Sequence, residues 1–419
     1  MKVFFSVGEP SGDLHGANLI RELQNQIPDC ECVGFGGPRM RQAGCKIHFD
    51  LTTLAVMFLT EVFTKLPKFF ALKKQAKEFF ETERPDAVVL IDFPGFNWHI
   101  AKVAKQNGIP VFYYGVPQMW AWAPWRIGKL KRNVDHVLCK LPFEPEWFRD
   151  RGVQAEYVGH PYFDELHQRQ LNESVVEELR NDSQPLITLL PGSRDQEVEQ
   201  NGQILLQAAA NVKKVCPNAR VAVACFKSRH ADRIRQWDAE LQLNVDIRVD
   251  QTPELIEAAN FCLACSGSVS LELMYHRKPS VIVFRVSNFK MRMAQILLRT
   301  KFITLVNLMA TSKIARVQGI YDPDADQAER VPFPEYLTTV NVADRASQWL
   351  IRWVQDPQEV KQRVRQLAEL CHRFAKPGAS KRAAKYIATS LGAIRESGAT
   401  DQEIGEDSKR AGECLSDAA

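Results

Sequence analysis

The run Ala87-Val88-Val89-Leu90-Ile91, closed by Asp92-Phe93-Pro94-Gly95-Phe96-Asn97, decides how the rest of the chain is read. Five apolar residues in succession, three of them β-branched, describe a strand buried on both faces, as in a parallel sheet covered by helices. Similar runs recur on either side. Upstream and just downstream they are Val3–Val7, Cys32–Phe35, Val111–Tyr114, His136–Leu141 and Glu156–Val158. A second series comprises Leu186–Leu190, Val221–Phe226, Val245–Val249, Phe261–Cys265 and Ser280–Phe284. Longer helix-like segments separate them, so the fold class is α/β with two doubly wound, Rossmann-like domains.

The polar stretch Asp164–Gln184 lies between the two series and is the expected linker, giving domains at 1–165 and 185–355. After Phe284 the pattern is expected to turn helical, with an amphipathic Gln358–Ala375 and a further helix through Ile387. Residues 392–419 are polar with little to bury and are expected to be disordered. Ligands in such sheets bind beyond the carboxyl ends of the strands, and two tandem domains would leave a central cleft there.

Composition narrows the classes. The chain has 419 residues, 45% hydrophobic and 25% charged, as in soluble globular proteins. A net charge of +4, from 54 Lys+Arg against 50 Asp+Glu, is too mild for nucleic acid as the main partner. No apolar run reaches the roughly 20 residues of a membrane span, and Met1–Gly8 reads as a first strand instead of a signal peptide, so a cytoplasmic address is expected. Cys262-Leu263-Ala264-Cys265 matches C-x-x-C, but no second pair or His stands at zinc spacing. Two thiols in a buried strand are expected there.

Six segments could carry chemistry. Gly8-Glu9-Pro10-Ser11-Gly12-Asp13-Leu14-His15-Gly16, after the first strand and opening a helix, lets backbone N–H groups approach a ligand, or is a plain strand-to-helix turn. Asp92, at the carboxyl end of its strand, is placed for general base work, or caps the next helix. The stretch Tyr114–Arg126, with Gln118 and three tryptophans including Trp120, suits a sugar ring or an acyl groove; inter-domain packing is the alternative. Leu190–Glu199 places Ser193 and Gln196 at capping-box spacing, with Arg194 where a phosphate is favoured. A structural pair between Arg194 and Glu197 competes with that role. Ser266-Gly267-Ser268 opens a helix and can bind a diphosphate, with Glu272 placed for ribose hydroxyls, or it is a capped helix with a solvated Glu. Met57–Phe80 mixes Phe58, Phe63, Phe69 and Phe70 with Lys65 and Lys68, as a membrane-surface segment or a helix packed on the sheet.

Together these segments resemble the lipid-A-disaccharide synthase family. The likeness rests on VGEPSGDLHGANLIREL (7–23), GFGGPRMRQAGC (34–45), IDFPGFN (91–97) and VPQMWAWAPWRIGKLKR (116–132). It continues through LPFEPEWF (141–148), YVGHPYFDEL (157–166), LLPGSRDQEVEQN (189–201), SGSVSLELM (266–274) and TLVNLMA (304–310). The order is the family's over about residues 3–390. The resemblance implies a GT-B-like, inverting glycosyltransferase, independent of metal and cofactor, whose C-terminal helices at 356–391 cross back to the first domain. Its donor would be UDP-2,3-diacylglucosamine and its acceptor 2,3-diacylglucosamine 1-phosphate, and it would work at the cytoplasmic face of the inner membrane, in a family that often dimerises. The carboxylate matching Asp92 would be the base. Ser193, Arg194, Ser266, Gly267, Ser268, Glu272 and Asn307 would serve the UDP-sugar. Gly8, Glu9, Ser11, Gly12, Asn97, Gln118 and Trp120 would line the acceptor side. Val306 stands where the family commonly has Pro and Thr311 where it has Gly, and Ala123-Pro124 is extra in the tryptophan loop. A UDP-N-acetylglucosamine 2-epimerase would share this architecture and donor site without needing a Phe/Lys patch.

Overall fold

Continuous apolar strands joined by helices leave little choice but parallel pairing, and every strand among the described residues pairs that way with its neighbours. The computed structural model describes residues 1–55, 62–315, 319–326 and 328–392. The chain forms two units. The first comprises Met1–Met119, Trp125–Asp164 and Pro377 onward; the second comprises Trp120–Pro124 and Glu165–Lys376.

In the first unit, β1 (Lys2–Val7), β2 (Glu31–Gly36), β3 (Lys46–Asp50), β4 (Ala87–Ile91), β5 (Val111–Tyr114), β6 (His136–Cys139) and β7 (Ala155–Tyr157) form one sheet ordered β3-β2-β1-β4-β5-β6-β7. Alternate residues feed two cores. Phe4, Val88 and Leu90 face one, and Val3, Phe5, Val89 and Ile91 face the other. The last helix, residues 379–392, inserts Ala383, Ala384, Ile387 and Leu391 into the second of these cores. Asp164 caps it, accepting from the Ala379 and Ser380 N–H groups at 3.0 and 2.9 Å.

In the second unit, β8 (Leu186–Leu190), β9 (Arg220–Cys225), β10 (Asp246–Val249), β11 (Phe261–Cys265), β12 (Ser280–Arg285) and β13 (Glu335–Thr338) are ordered β10-β9-β8-β11-β12-β13. Cys262 and Cys265 are buried thiols in β11, as expected of that strand.

Each sheet reverses its strand order once, between β1 and β4 and between β8 and β11. These are the points where the connecting helices go to opposite faces and leave a crevice at the carboxyl ends. Asp92 directly follows β4, while Arg194 and Ser266 follow β8 and β11. The sequence motifs therefore sit at the switch points.

Four features depart from the sequence reading. β13 follows Phe284, where only helices were expected; its first residue, Glu335, is charged yet buried, which breaks the apolar signature. β3 is an edge strand of alternating character, KIHFD, and was not anticipated. The segment expected as a linker carries the helices Tyr162–Gln168 and Glu173–Arg180, and the first unit ends at Asp164. The helix Pro357–Phe374 belongs to the second unit, and the chain returns to the first at Pro377. Residues 393–419, expected to be disordered, lie outside the described residues.

Candidate active site and its surroundings

The chain leaves β4 through two consecutive left-handed residues, Asp92 at φ 46° and Phe93 at φ 44°. Such backbone costs about 1–3 kcal/mol per non-glycine residue and persists only where its surroundings impose it. Here they do. The Asp92 carbonyl accepts from Asn97 Nδ2 and Tyr113 Oη, both at 2.8 Å. Asn97, fully buried, also donates to the Ser6 and Ile91 carbonyls and accepts from Ser6 Oγ at 2.6 Å. Expected on the acceptor side, Asn97 lies instead as a clamp across the ends of β1 and β4. Gly8 leaves room for the Phe93 ring, since a Cβ there would lie 2.3 Å from it.

The result aims the Asp92 carboxylate at Lys140, the residue after β6. Asp92 Oδ1 accepts from Lys140 Nζ at 2.9 Å, and both side chains are about one-fifth exposed, 21% and 20%. Asp92 Oδ2 has no protein partner among the described residues. Gly115, at φ 71°, gives this pair its space: a Cβ there would lie 2.6 Å from Nζ and 2.9 Å from Oδ1. Burial opposes the lysine's charge, but Asp92, Glu144 and Glu9 outweigh it and hold the ammonium above its ordinary range. Burial and the Lys140 charge push His15 down to about 4. Burial, Lys140 and His15 hold His160 well below the usual imidazole range. His160 Nδ1 accepts from the Tyr162 N–H at 3.2 Å, so its proton is on Nε2. The neighbourhood is one ion pair flanked by two neutral imidazoles.

A carboxylate about one-fifth exposed, with one oxygen held by an ammonium and the other free, can take a proton from a hydroxyl. Lys140 and His160 were missed in the sequence, and His15 stood in the first motif without a role. The available signal was position alone: Lys140 ends a buried strand, as Asp92 does.

Around this centre Glu9 is half-buried, Ser11 exposed, and Gly12 buried against Val7. Gln118 is exposed, whereas Trp120 is 4% exposed; Trp122 and Trp125 are the tryptophans that face solvent.

The second unit's turns are more open. The helix Asp195–Val215 is capped one residue later than the sequence spacing indicated. Glu197, not Gln196, closes the box, its Oε2 accepting from the Ser193 and Arg194 N–H groups at 3.1 and 3.2 Å. Arg194 does pair with Glu197 at 3.1 Å, but its side chain is 83% exposed, so the pair is weak and exchangeable. Gly267 and Ser268 are exposed, with nothing within 4 Å of a Cβ built on Gly267. Asn201, also missed, ties the first turn of the helix Asp195–Val215 to the end of β12 by donating to the Glu197 carbonyl at 2.8 Å and accepting from the Arg285 N–H at 2.8 Å.

Glu272 and Asn307 lie deeper than expected. Glu272 is 4% exposed and accepts from Arg169 at 2.5 Å. Asn307, fully buried, donates to the Phe333 carbonyl and Glu335 and accepts from the Phe333 N–H. Both are committed to protein partners.

In the helix Val62–Glu83, Phe70 is 66% and Leu66 41% exposed. Phe69 turns inward, its ring 5.4 Å from that of Phe96, and Lys68 lies over the Phe49 ring. Phe58 and the Phe63 and Lys65 side chains lie outside the described residues. No helix among the described residues is long and apolar enough to cross a membrane.

Structures of low sequence identity share the whole fold. A Staphylococcus aureus protein titled MnaA-UDP co-structure aligns with TM-score 0.59 at 12% identity, over 93% of this chain and 97% of that one. A glycotransferase of kitacinnamycin aligns with TM-score 0.58 at 15% identity, over 93% and 98%. Sequence relatives are nearer. The lipid-A-disaccharide synthase of Trichlorobacter lovleyi is 34% identical over 316 residues, 75% of this chain and 82% of that protein. Lipid-A-disaccharide synthase 1 of Legionella pneumophila is 32% identical over 371 residues, 88% and 92%. The family model described as lipid-A-disaccharide synthetase matches residues 3–331. The chain belongs to the lipid-A-disaccharide synthase family.

Proposed function

We propose that the chain joins UDP-2,3-diacylglucosamine to 2,3-diacylglucosamine 1-phosphate with Asp92 as the general base. Family membership makes it a glycosyltransferase of lipid A disaccharide synthesis. In the proposed step the acceptor 6-hydroxyl attacks the anomeric carbon of the donor, and the carbon–oxygen bond to UDP breaks. The electron pair leaves with the diphosphate, the proton passes to Asp92 Oδ2, and the configuration inverts to a β-1,6 linkage. The observation that carries this reading is the Asp92–Phe93 turn. Strained backbone, a dedicated asparagine clamp and a glycine-made space all serve to present one carboxylate beside one ammonium.

Lys140 holds Oδ1 and so orients the base. Arg194 and the open Ser266-Gly267-Ser268 turn receive the donor diphosphate; the exposure of that arginine supports this. Glu272 and Asn307 support the donor side by shaping its turns. The exposed Phe70 and Leu66, on a lysine-rich helix, support peripheral contact with an anionic inner-membrane surface.

UDP release tests the reaction against an epimerase. It should require both acylated sugars together, with no turnover of UDP-N-acetylglucosamine alone. Epimerisation of that nucleotide sugar in the absence of acceptor would replace this reading.

A further inference from the structure

Three helices of the first unit, Val62–Glu83, Pro94–Gln106 and Ile127–Asn133, line an open cavity of about 780 Å³. Its cationic lining is Lys73, Lys102, Lys105, Lys129 and Arg132, and no carboxylate lines it. Lys105 is neutralised by Asp135 at 2.6 Å. The other four have no carboxylate partner among the described residues. In a chain whose cationic and anionic side chains nearly balance, 54 to 50, a cavity lined by five cations and no carboxylate is a local excess of positive charge. The contrast within one helix is instructive. Lys74 and Lys77, facing elsewhere, each pair with a glutamate one turn on, at 3.6 and 3.4 Å, whereas Lys73 faces the cavity without one.

The cavity also has a fixed floor. Trp98 is 5% exposed and packs edge-on against Tyr113 at 5.6 Å, with the Lys129 ammonium 5.3 Å from its ring. Mutual repulsion is visible in the neighbours. Burial first, then Lys129, Lys73 and Lys102, lower the basicity of His99. Like charges gathered on a rigid surface raise the local potential and favour an anion. Lys102 lies eight residues along its helix from Pro94, about 12 Å, toward the end remote from Asp92. The cavity is therefore separate from the proposed reaction centre.

We propose that this cavity binds a phosphate group, either of an anionic lipid headgroup or of a free phosphate compound. Lys102 and Arg132 are its principal ligands and Lys73 its rim. The site needs neither the Asp92 chemistry nor the donor turns.

The test uses the full chain and two probes: phosphatidylcholine vesicles containing phosphatidylglycerol, and inorganic pyrophosphate. Lys102→Gln with Arg132→Gln is compared with Arg233→Gln with Arg235→Gln, which removes the same charge from second-unit arginines already paired with Glu199 and Asp232. The first pair should weaken binding roughly 30-fold and the second less than about threefold. Lys73→Gln alone, on another helix, should weaken it several-fold, which keeps the test valid if the double variant misfolds. Variant-sensitive binding of pyrophosphate identifies a free phosphate compound as sufficient; sensitivity with vesicles alone identifies the headgroup. Equal weakening by both double variants, no weakening by either, or no binding of either probe by the wild-type chain overturns the proposal.

Discussion

The carboxyl end of β4 and the carboxyl ends of β8 and β11 occupy equivalent switch points in their sheets, yet they are built oppositely. At β4 the polar groups are gathered inward: two left-handed residues, a buried asparagine and an ion pair fix one carboxylate. At β8 and β11 the turns stay open, with Arg194 largely exposed and Ser266-Gly267-Ser268 lacking neighbours near the glycine. The difference teaches a division of labour. A group that must meet a reacting hydroxyl gains from being held before substrate arrives, whereas groups that collect a charged ligand can be ordered by it.

Substitutions can break or sharpen that contrast. The largest effect is expected from Asp92→Asn, which should cut turnover about 10²–10⁴-fold in a UDP-release assay while leaving the fold intact. Acidification should act on the first unit next. The depressed folded value of His15, about 4 against 6.5, makes its contribution fully present above pH 6.5 and lost as pH falls through 4. That loss is of order 3 kcal/mol, readable from denaturant unfolding across the window; flat stability there would contradict the buried neutral imidazole. Arg194→Ala should weaken UDP binding by roughly 1.5–3 kcal/mol, measured by calorimetry. Gly115→Ala should cost about 1–2 kcal/mol of stability from its left-handed backbone and also lower turnover by displacing the ion pair. Phe69→Ser with Phe70→Ser should give the smallest change, a several-fold loss of vesicle association, carried by Phe70 because Phe69 packs inward. Unchanged association would place this segment off the membrane.

Much of this was legible in the sequence because burial on both faces writes itself as uninterrupted apolar residues. β4, β5, β8 and β11 fall where their runs predicted, and the motifs that follow them lie at the switch points. The misses share a physical cause. Glu335 opens β13 as a buried carboxyl group satisfied by Thr304, Asn307 and the Ile303 N–H, so the residue that anchors the strand hides it. Lys140 meets Asp92 only after folding, across 48 residues, and local spacing carries no record of that meeting. Asn97 and Asn307 stood in the right segments, but only coordinates reveal that both are consumed by protein groups.

The most direct test treats Asp92→Asn and Arg194→Ala as a matched pair, each measured for UDP affinity and for single-turnover rate at saturating donor. The account predicts a crossed pattern: the first loses rate and keeps affinity, the second loses affinity and largely recovers rate at saturation. If both variants lost the same quantity, or if Asp92→Asn kept the wild-type rate, the assignment of chemistry to the end of β4 would be wrong.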